Sequence, residues 1–334
     1  MDKNILLIYN EGKKSFLTFI NCFIKRLLIS TFFVFFIIMA FGQVNYIPYY
    51  EKINNAELFY LEQNYISALE QYTDAFQMVP YVYAKDYSNA ALICIIIKDF
   101  NQAVVYLDSA LVRNTNIKWI ERLDEFVDFK ESNEGKLFFQ QLDKVYAKRD
   151  QKLDLNQKRE FDKVFKRDQR NRNFFNTTFN KKNVLKKDSM NFIKFIMLIK
   201  KYGFPCEQEL GVDSYVNFLN SIQIIILHNI SKYQAKDSLI LAMKTEVIRG
   251  KLLPESYAWI VDRNLAENNA YYEKYGTFTF YNFDIAKNYF PQCKKTKESI
   301  ISELDKNRKL IGLEPYKVDL KRKKLMSKNK IILF

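Results

Sequence analysis

Two neighbouring segments of the chain share one pattern of small, aromatic and polar positions. The first reads AELFYLEQNYISALEQYTDAF (56–76), and the second reads ALICIIIKDFNQAVVYLDSAL (91–111). Alanines in the first segment recur 35 residues later, and an aromatic residue stands at position 65 and again at position 100. Apolar positions three and four residues apart are typical of amphipathic helices. The pattern therefore predicts two helical hairpins in which small residues let the paired helices approach closely.

This repeat resembles the tetratricopeptide repeat, which has a period of 34 residues. Pro80 falls where that repeat often ends. Two repeats cannot bury a continuous apolar face alone, because about three are needed. We therefore expect segment 120–142 to be a degenerate helical piece that caps the hairpins, so that the repeat region spans 43–142. Stacked helical repeats offer a concave surface, so the resemblance implies a protein or peptide partner on the helical-repeat surface.

The remaining pattern is also helical. Residues 143–187 are predicted to form a charged helical connector of one or two exposed helices, followed by a loop at 173–183. Capping residues, glycines and prolines then mark the ends of five further helices. We expect the first from Asp188 or Ser189 to Tyr202, and the second from Asp213 or Ser214 through 221–229. The other three are expected from Ser231 to Arg249, from Pro254 to about Glu267, and from about Lys295 to Ile311. The stretch 275–283 is expected to be a short strand or an ordered loop. The sequence predicts a mainly α fold in which the hairpins precede a small α-helical domain.

The N-terminal 42 residues have the layout of a leader and signal peptide. Lys25 and Arg26 precede the apolar run 27–38, and Ala40 and Gly42 stand before a possible cleavage site. The run is shorter than the roughly 20 residues that span a membrane. We therefore expect an exported protein of the periplasm or cell envelope, with an uncleaved N-terminal membrane anchor as the alternative. An exported chain is not expected to bind nucleic acid.

The net charge of +14 is unevenly distributed. Residues 43–115 carry four Lys/Arg against eight Asp/Glu, whereas residues 144–187 carry fifteen against five. Residues 317–330 carry seven Lys/Arg against one Asp, which marks 321–334 as a basic tail. Two interpretations are open: adhesion to an anionic envelope surface, or a solvated helix face followed by a frayed tail.

The composition excludes several chemistries. His228 is the only histidine, and the spacing of the four cysteines matches neither a zinc site nor a redox pair. The sequence also contains no glycine-rich phosphate loop and no dinucleotide fingerprint. We therefore expect neither a cofactor nor a bound metal. Cys94 lies in an apolar helix and is expected in the core, whereas Cys206 and Cys293 could form a disulfide after export.

Motifs between residues 160 and 320 occur in a familiar order. They are Asp168, Gln169 and Arg172; Gly203, Phe204 and Pro205; His228 and Gln234; Asp262 and Arg263; Tyr275, Gly276 and Thr277; and Arg308, Gly312 and Leu313. This order resembles a bacterial family of unknown function found in exported proteins behind helical repeats. Phe204, Leu227 and Phe278 depart from the family's Trp, Gln and Gln. The resemblance implies a domain boundary, 160–320, but no known activity.

The same motifs supply the candidate site. The functional interpretation places His228, Asp262 and Tyr275 in one polar pocket, accompanied by Asp168, Gln169, Arg172, Gln234 and Arg263. The structural interpretation pairs Arg263 with Asp168 and Asp262 with Arg172, and makes His228 a core residue that joins helices. Two functions follow: an interaction or scaffold module of the cell envelope, or a small-ligand-binding protein or enzyme that uses the pocket. The scarcity of catalytic side chains favours the first.

Overall fold

The structure is a computed structural model that describes residues 44–121, 123–170, 181–212, 221–267, 273–277 and 296–329. Every regular element in those ranges is a helix, which confirms the mainly α fold. The leader and signal peptide predicted for residues 1–42 lie outside the described residues. So do residues 173–180 of the predicted loop and residues 278–283 of the stretch predicted to be a short strand or an ordered loop.

The two repeated segments form two helical hairpins. The first consists of α1 and α2, the second of α3 and α4, with bounds Ile47–Leu61, Tyr65–Met78, Ala84–Ile96 and Phe100–Val112. The helices of each hairpin meet through alanines, as predicted. All six of the repeated alanines are fully buried: Ala56, Ala68, Ala75, Ala91, Ala103 and Ala110. Since alanine adds almost no width to a helix, the backbones can approach closely at these points.

The tight turns of both hairpins also repeat one another. Gln63 and Lys98, which are 35 residues apart in the chain, adopt φ angles of 62° and 63°. The next residues, Asn64 and Asp99, accept hydrogen bonds from the amides of Ser67 and Gln102 and so begin α2 and α4. The 35-residue regularity in the sequence therefore extends to the backbone conformation.

Short helices follow the second hairpin, and their bounds are α5 (Ile117–Ile120), α6 (Phe126–Glu131), α7 (Asn133–Gln140) and α8 (Leu142–Lys152). Phe126, Phe129 and Phe138 are buried and pack edge to face or tilted against one another. Phe129 also contacts Phe100 at the start of α4, with ring centroids 5.8 Å apart. The segment thus covers the second hairpin, as expected of a cap, but it is broken into short pieces.

Two longer helices, α9 (Leu155–Arg170) and α10 (Lys181–Tyr202), pack against each other. The sequence predicts exposed helices here, but α9 buries a face that includes Phe161, Val164 and Phe165. The predicted start of α10 at Asp188 or Ser189 is wrong, because the helix begins at least seven residues earlier and Asp188 is buried within it. Its predicted end is confirmed, since Gly203 follows with a φ of 88°.

Four further elements lie between residues 207 and 267, and they are α11 (Glu207–Leu210), α12 (Ser221–Asn229), α13 (Lys236–Ile248) and α14 (Pro254–Glu267). A single 3₁₀ turn, Ile230–Lys232, follows α12 and precedes α13. The predicted proline start and glycine end are confirmed, because α14 begins at Pro254 and Gly250 after α13 has a φ of 72°. These helices pack on one another and on α9 and α10 around apolar residues such as Ile225, Ile226 and Ile260.

The basic stretch near the C-terminus is not frayed. After α15 (Lys297–Lys309), residues Tyr316–Asn329 form a helix, α16, that packs on α1. Arg322 of α16 donates to the buried carboxylate of Glu57 in α1 and lies 3.1 Å from Glu314. The interpretation of 317–330 as a frayed tail is therefore wrong, because a basic side chain of this stretch is needed inside the fold.

Turns from the C-terminal half occupy the inner side of α1 and α3. The hydroxyls of Tyr50 and Tyr83 donate to the carbonyls of Val247 and Gly250, at 3.0 and 2.7 Å. Nearby, Asn54 donates to the carbonyl of Gly312 at 2.8 Å. These tyrosines are buried, so this side of α1 and α3, which we call the inner side of the hairpins, is covered by the chain itself.

Candidate functional site

Asp168 and His228 form the first pair of candidate residues. Asp168 lies near the end of α9 and is fully buried, and His228 lies in the last turn of α12. The Asp168 Oδ2 and His228 Nδ1 atoms are 2.9 Å apart, and the Gln169 side chain donates to the same carboxylate oxygen at 2.9 Å. Because an ionised carboxylate only accepts, Nδ1 carries the proton in this pair, and in the neutral ring Nε2 is then an acceptor.

This arrangement has a limited chemical capacity. The His228 side chain is 26% exposed, so solvent reaches part of the ring. A carboxylate that orients an imidazole is half of a nucleophilic triad. Within the described part of the chain, no Ser, Thr or Cys side chain hydrogen-bonds to His228. The pair can orient a base or hold a polar ligand, but the described residues do not complete a triad.

Asp262 has a different role from the one that the pocket interpretation predicts. This fully buried residue of α14 accepts four hydrogen bonds from the segment 273–277. Oδ1 accepts from the amides of Lys274 and Tyr275 at 2.7 and 3.0 Å, and Oδ2 accepts from the amide and hydroxyl of Thr277 at 3.0 and 2.8 Å. Burial raises the pKa of Asp262 although these hydrogen bonds oppose it. The carboxylate therefore holds the backbone of a turn.

The turn depends on Gly276, as the sequence predicts. Gly276 has a φ of 69°, and a Cβ atom there would lie 2.9 Å from the ring of Tyr316. Its neighbour Tyr275 points inward, is 1% exposed and contacts Tyr257 edge to face, with centroids 5.8 Å apart. Burial raises the pKa of Tyr275 far above its ordinary value. A phenol in this setting packs the core and keeps its proton at neutral pH.

Arg308 joins this turn to the connection between α15 and α16. Its guanidinium is 2% exposed and donates to the carbonyls of Tyr275 and Glu314, at 2.8 and 2.6 Å. It also lies 3.4 Å from the carboxylate of Asp319. Asp262, the turn and Arg308 are thus consecutive members of one hydrogen-bonded assembly.

The described hydrogen bonds place the candidate residues in two groups, rather than in the single pocket of the functional interpretation. One group is Asp168 with His228 and Gln169, and the other is Asp262 with Tyr275. Gln234 is exposed, and Arg263 is exposed on α14. The predicted partner of Asp262, Arg172, lies outside the described residues. In the described part of the chain, the Asp262 carboxylate accepts its four hydrogen bonds from residues 274–277.

Sequence reasoning missed a buried ionic network between α1, α3 and α16. Glu57 is 2% exposed, and its carboxylate accepts from Lys85 at 3.0 Å and from Arg322. Burial alone would raise the pKa of Glu57, but Lys85 and Arg322 together hold it below its ordinary value. The sequence contains one signal for this network: Glu57 stands four residues after Ile53, which places a carboxylate on the apolar face of α1.

A second missed residue is Glu207, the first residue of α11. Its Oε1 atom accepts from the amide of Ala84 at 2.6 Å and from the hydroxyl of Tyr81 at 3.0 Å. Glu207 thereby caps the start of α3 from a distant part of the chain. Burial raises its pKa to about 7.

Burial also makes the thiols of two cysteines unreactive, because it disfavours the thiolate. Cys94 and Cys206 are both buried and free, and burial raises their pKa values to about 12 and about 11. Cys293, the expected disulfide partner of Cys206, lies outside the described residues.

Among the described residues, no group of three or more His, Cys, Asp or Glu side chains is placed to hold a metal ion. No helix in the described part of the chain combines the length and apolar character needed to cross a membrane. Comparison with family models, curated proteins and solved structures finds no match to this chain.

Proposed function

We propose that this chain is a non-enzymatic binding module of the cell envelope that presents helical hairpins to a protein partner. The observation that carries the proposal is the use of Asp262. Its carboxylate is buried and accepts four hydrogen bonds from its own loop, so the central acid of the supposed pocket is committed to architecture. A catalytic acid or base must reach a substrate, and Asp262 does not meet that condition.

The partner surface in this proposal is the outer side of the hairpins. The inner side of α1 and α3 is filled by residues around Val247, Gly250 and Gly312. On the second helix of each hairpin, Ile66 and Val105 are 60% and 54% exposed. The matching turns and the six buried alanines support a tetratricopeptide-like origin for the hairpins, in which new binding surfaces are common.

Two further parts of the proposal rest on the sequence. Export to the envelope rests on the basic residues, apolar run and small residues of 25–42. Membership of 160–320 in the family of unknown function rests on the order of its motifs. It is supported by their physical connection, since Asp262, the turn at Tyr275 and Arg308 belong to one assembly and Asp168 contacts His228.

The test combines stability with partner capture. Asp262→Asn replaces one carboxylate oxygen with an NH₂ group, which would face the two donors that the oxygen now accepts from. A buried donor left without an acceptor costs about 1–3 kcal/mol. We expect the variant to melt roughly 2–5 °C below the wild-type chain. Ile66→Asp with Val105→Asp should melt like wild type and lose a partner that wild type captures from the envelope fraction.

Leu241→Asp, an equally exposed position on α13, is the matched control and should keep the partner. Wild-type melting of Asp262→Asn would show that its carboxylate is not architectural. Capture that is unchanged in the Ile66 and Val105 variant would refute the assigned surface.

One observation favours a second candidate function, a small-ligand-binding site at the Asp168–His228 pair. The 2.9 Å contact orients a partly exposed imidazole whose Nε2 remains as an acceptor. Under this alternative, His228→Gln would keep the melting temperature and lose the heat of binding of a ligand found by screening the wild-type chain. A large drop in melting temperature would instead identify the pair as a tie between α9 and α12.

A further inference from the structure

The outer side of α10 combines apolar and basic side chains in an arrangement that the proposed function does not use. Met190, Ile193 and Met197 are 53%, 56% and 63% exposed. Positions spaced by three and seven residues lie along one face of a helix, so these side chains form a line about 10 Å long. Three large apolar side chains in one line differ from the isolated exposed apolar residues that any protein surface carries.

Lysines surround this line. The exposed positions of α10 include Lys182, Lys186, Lys187, Lys194, Lys200 and Lys201. Asp188 is the only acidic residue of the helix, and it is buried. One of the lysines, Lys201, lies 3.6 Å from Glu160 of α9. We call these six lysines and three apolar residues the α10 outer face. Its charge is complementary to an anionic partner.

We infer that the α10 outer face binds the surface of an anionic lipid membrane. A helix with apolar side chains flanked by lysines lies in the plane of the interface, with the apolar residues among the acyl-chain boundary and the ammonium groups at the headgroups. The lysine stems can lie along the apolar line while their charged ends reach lipid phosphates. The 22 residues of α10 provide about 33 Å of helix for this contact.

The form of the face favours lipid over an acidic protein. A stable protein interface buries about 800 Å² on each partner and centres on aromatic or arginine anchors in pockets. The exposed positions of α10 in the described range carry no aromatic residue and no arginine, and the aromatic residues Phe192 and Phe195 face inward and are buried. A single convex helix with flexible methionines is accommodated by a fluid lipid surface without a preformed complementary groove.

The test is co-sedimentation of the full chain with vesicles of phosphatidylcholine alone or mixed with phosphatidylglycerol. Every variant retains residues 1–42, so differences between variants report α10. We expect preferential binding to the anionic vesicles that weakens as salt rises. Lys187→Gln with Lys194→Gln should weaken binding by roughly thirtyfold, and Ile193→Ser with Met197→Ser should weaken it by at least as much.

Matched controls carry the same changes elsewhere: Lys118→Gln with Lys136→Gln, and Leu241→Ser with Leu310→Ser, all at exposed positions. They should bind as wild type does, and all variants should share the wild-type melting temperature. Binding that is equal for both vesicle types, or unchanged in both α10 variants, would overturn the inference. A loss in the lysine variant alone would overturn the placement of the apolar line in the membrane, because binding to the vesicles would then rest on charge alone.

Discussion

Glu207→Gln should remove a component of stability that depends on pH. Glu207 caps α3 by accepting from the amide of Ala84 and the hydroxyl of Tyr81. Burial raises its pKa from 4.5 to about 7, so the folded chain retains the Glu207 proton at pH values where the unfolded chain has released it. The glutamine of the variant keeps a neutral carbonyl acceptor and does not titrate.

Because the pKa of Glu207 is higher in the folded chain, the folded state binds the proton more tightly than the unfolded state, and the free energy of unfolding falls as pH rises. The contribution of Glu207 is fully present below about pH 4.5 and is lost as pH rises through about 7. A difference of roughly 2.5 pH units corresponds to about 3 kcal/mol in the free energy of unfolding. Because the side chain is partly exposed, this is an upper value.

Urea unfolding of both proteins between pH 4 and about 8 measures the effect. The free energy of unfolding of wild type, taken relative to that of Glu207→Gln, should fall by up to about 3 kcal/mol across this range. Glu70→Gln on the exposed side of α2 should differ from wild type by the same small amount throughout. A difference between wild type and Glu207→Gln that does not change with pH would refute the assigned burial and capping role.

Three other changes test the rest of the architecture. Glu57→Gln removes the carboxylate that Lys85 and Arg322 share, but Lys85 keeps Asp86 and Arg322 keeps Glu314, so the free energy of unfolding in urea should fall by less than the roughly 3–5 kcal/mol of a fully unpaired buried charge. Gly276→Ala places an alanine at a positive φ and its Cβ against the ring of Tyr316. Gly203→Ala has only the φ penalty of about 1–2 kcal/mol, because no atom lies within 4 Å of its Cβ. Gly276→Ala should therefore lower the free energy of unfolding in urea by more than Gly203→Ala does. A chain ending at Pro315 lacks α16 and Arg322, and should lose the sharp cooperative melting of the full chain in a calorimetric scan; an unchanged melting curve would contradict the structural role of α16.

The parts of the fold that the sequence predicts correctly are set by nearby residues. The hairpins follow from alanines and turn residues within one repeat, and the Gly276 turn follows from a glycine whose φ is positive. In each case the relevant contacts lie within a few helical turns of one another. Local pattern and backbone preference are sufficient for such elements.

The errors concern polar groups whose partners are distant or are backbone atoms. Glu57 and Arg322 are separated by 265 positions, so neither local sequence indicates that their charges meet. Asp262 binds mostly backbone amides 12 to 15 residues later, and backbone amides leave no signature in the sequence. The sequence therefore leaves the pocket and the structural interpretation of this motif open, and the backbone contacts of Asp262 are what neither interpretation contains.

The contact between α1 and α16 also sets an order of events for the folding chain. Glu57 leaves the ribosome long before Arg322, and closing a loop of 265 residues must precede their contact. The contact between Glu57 and Arg322 therefore forms only after almost all of the described chain has been synthesised, whereas the hairpins, whose own contacts are local, can form earlier.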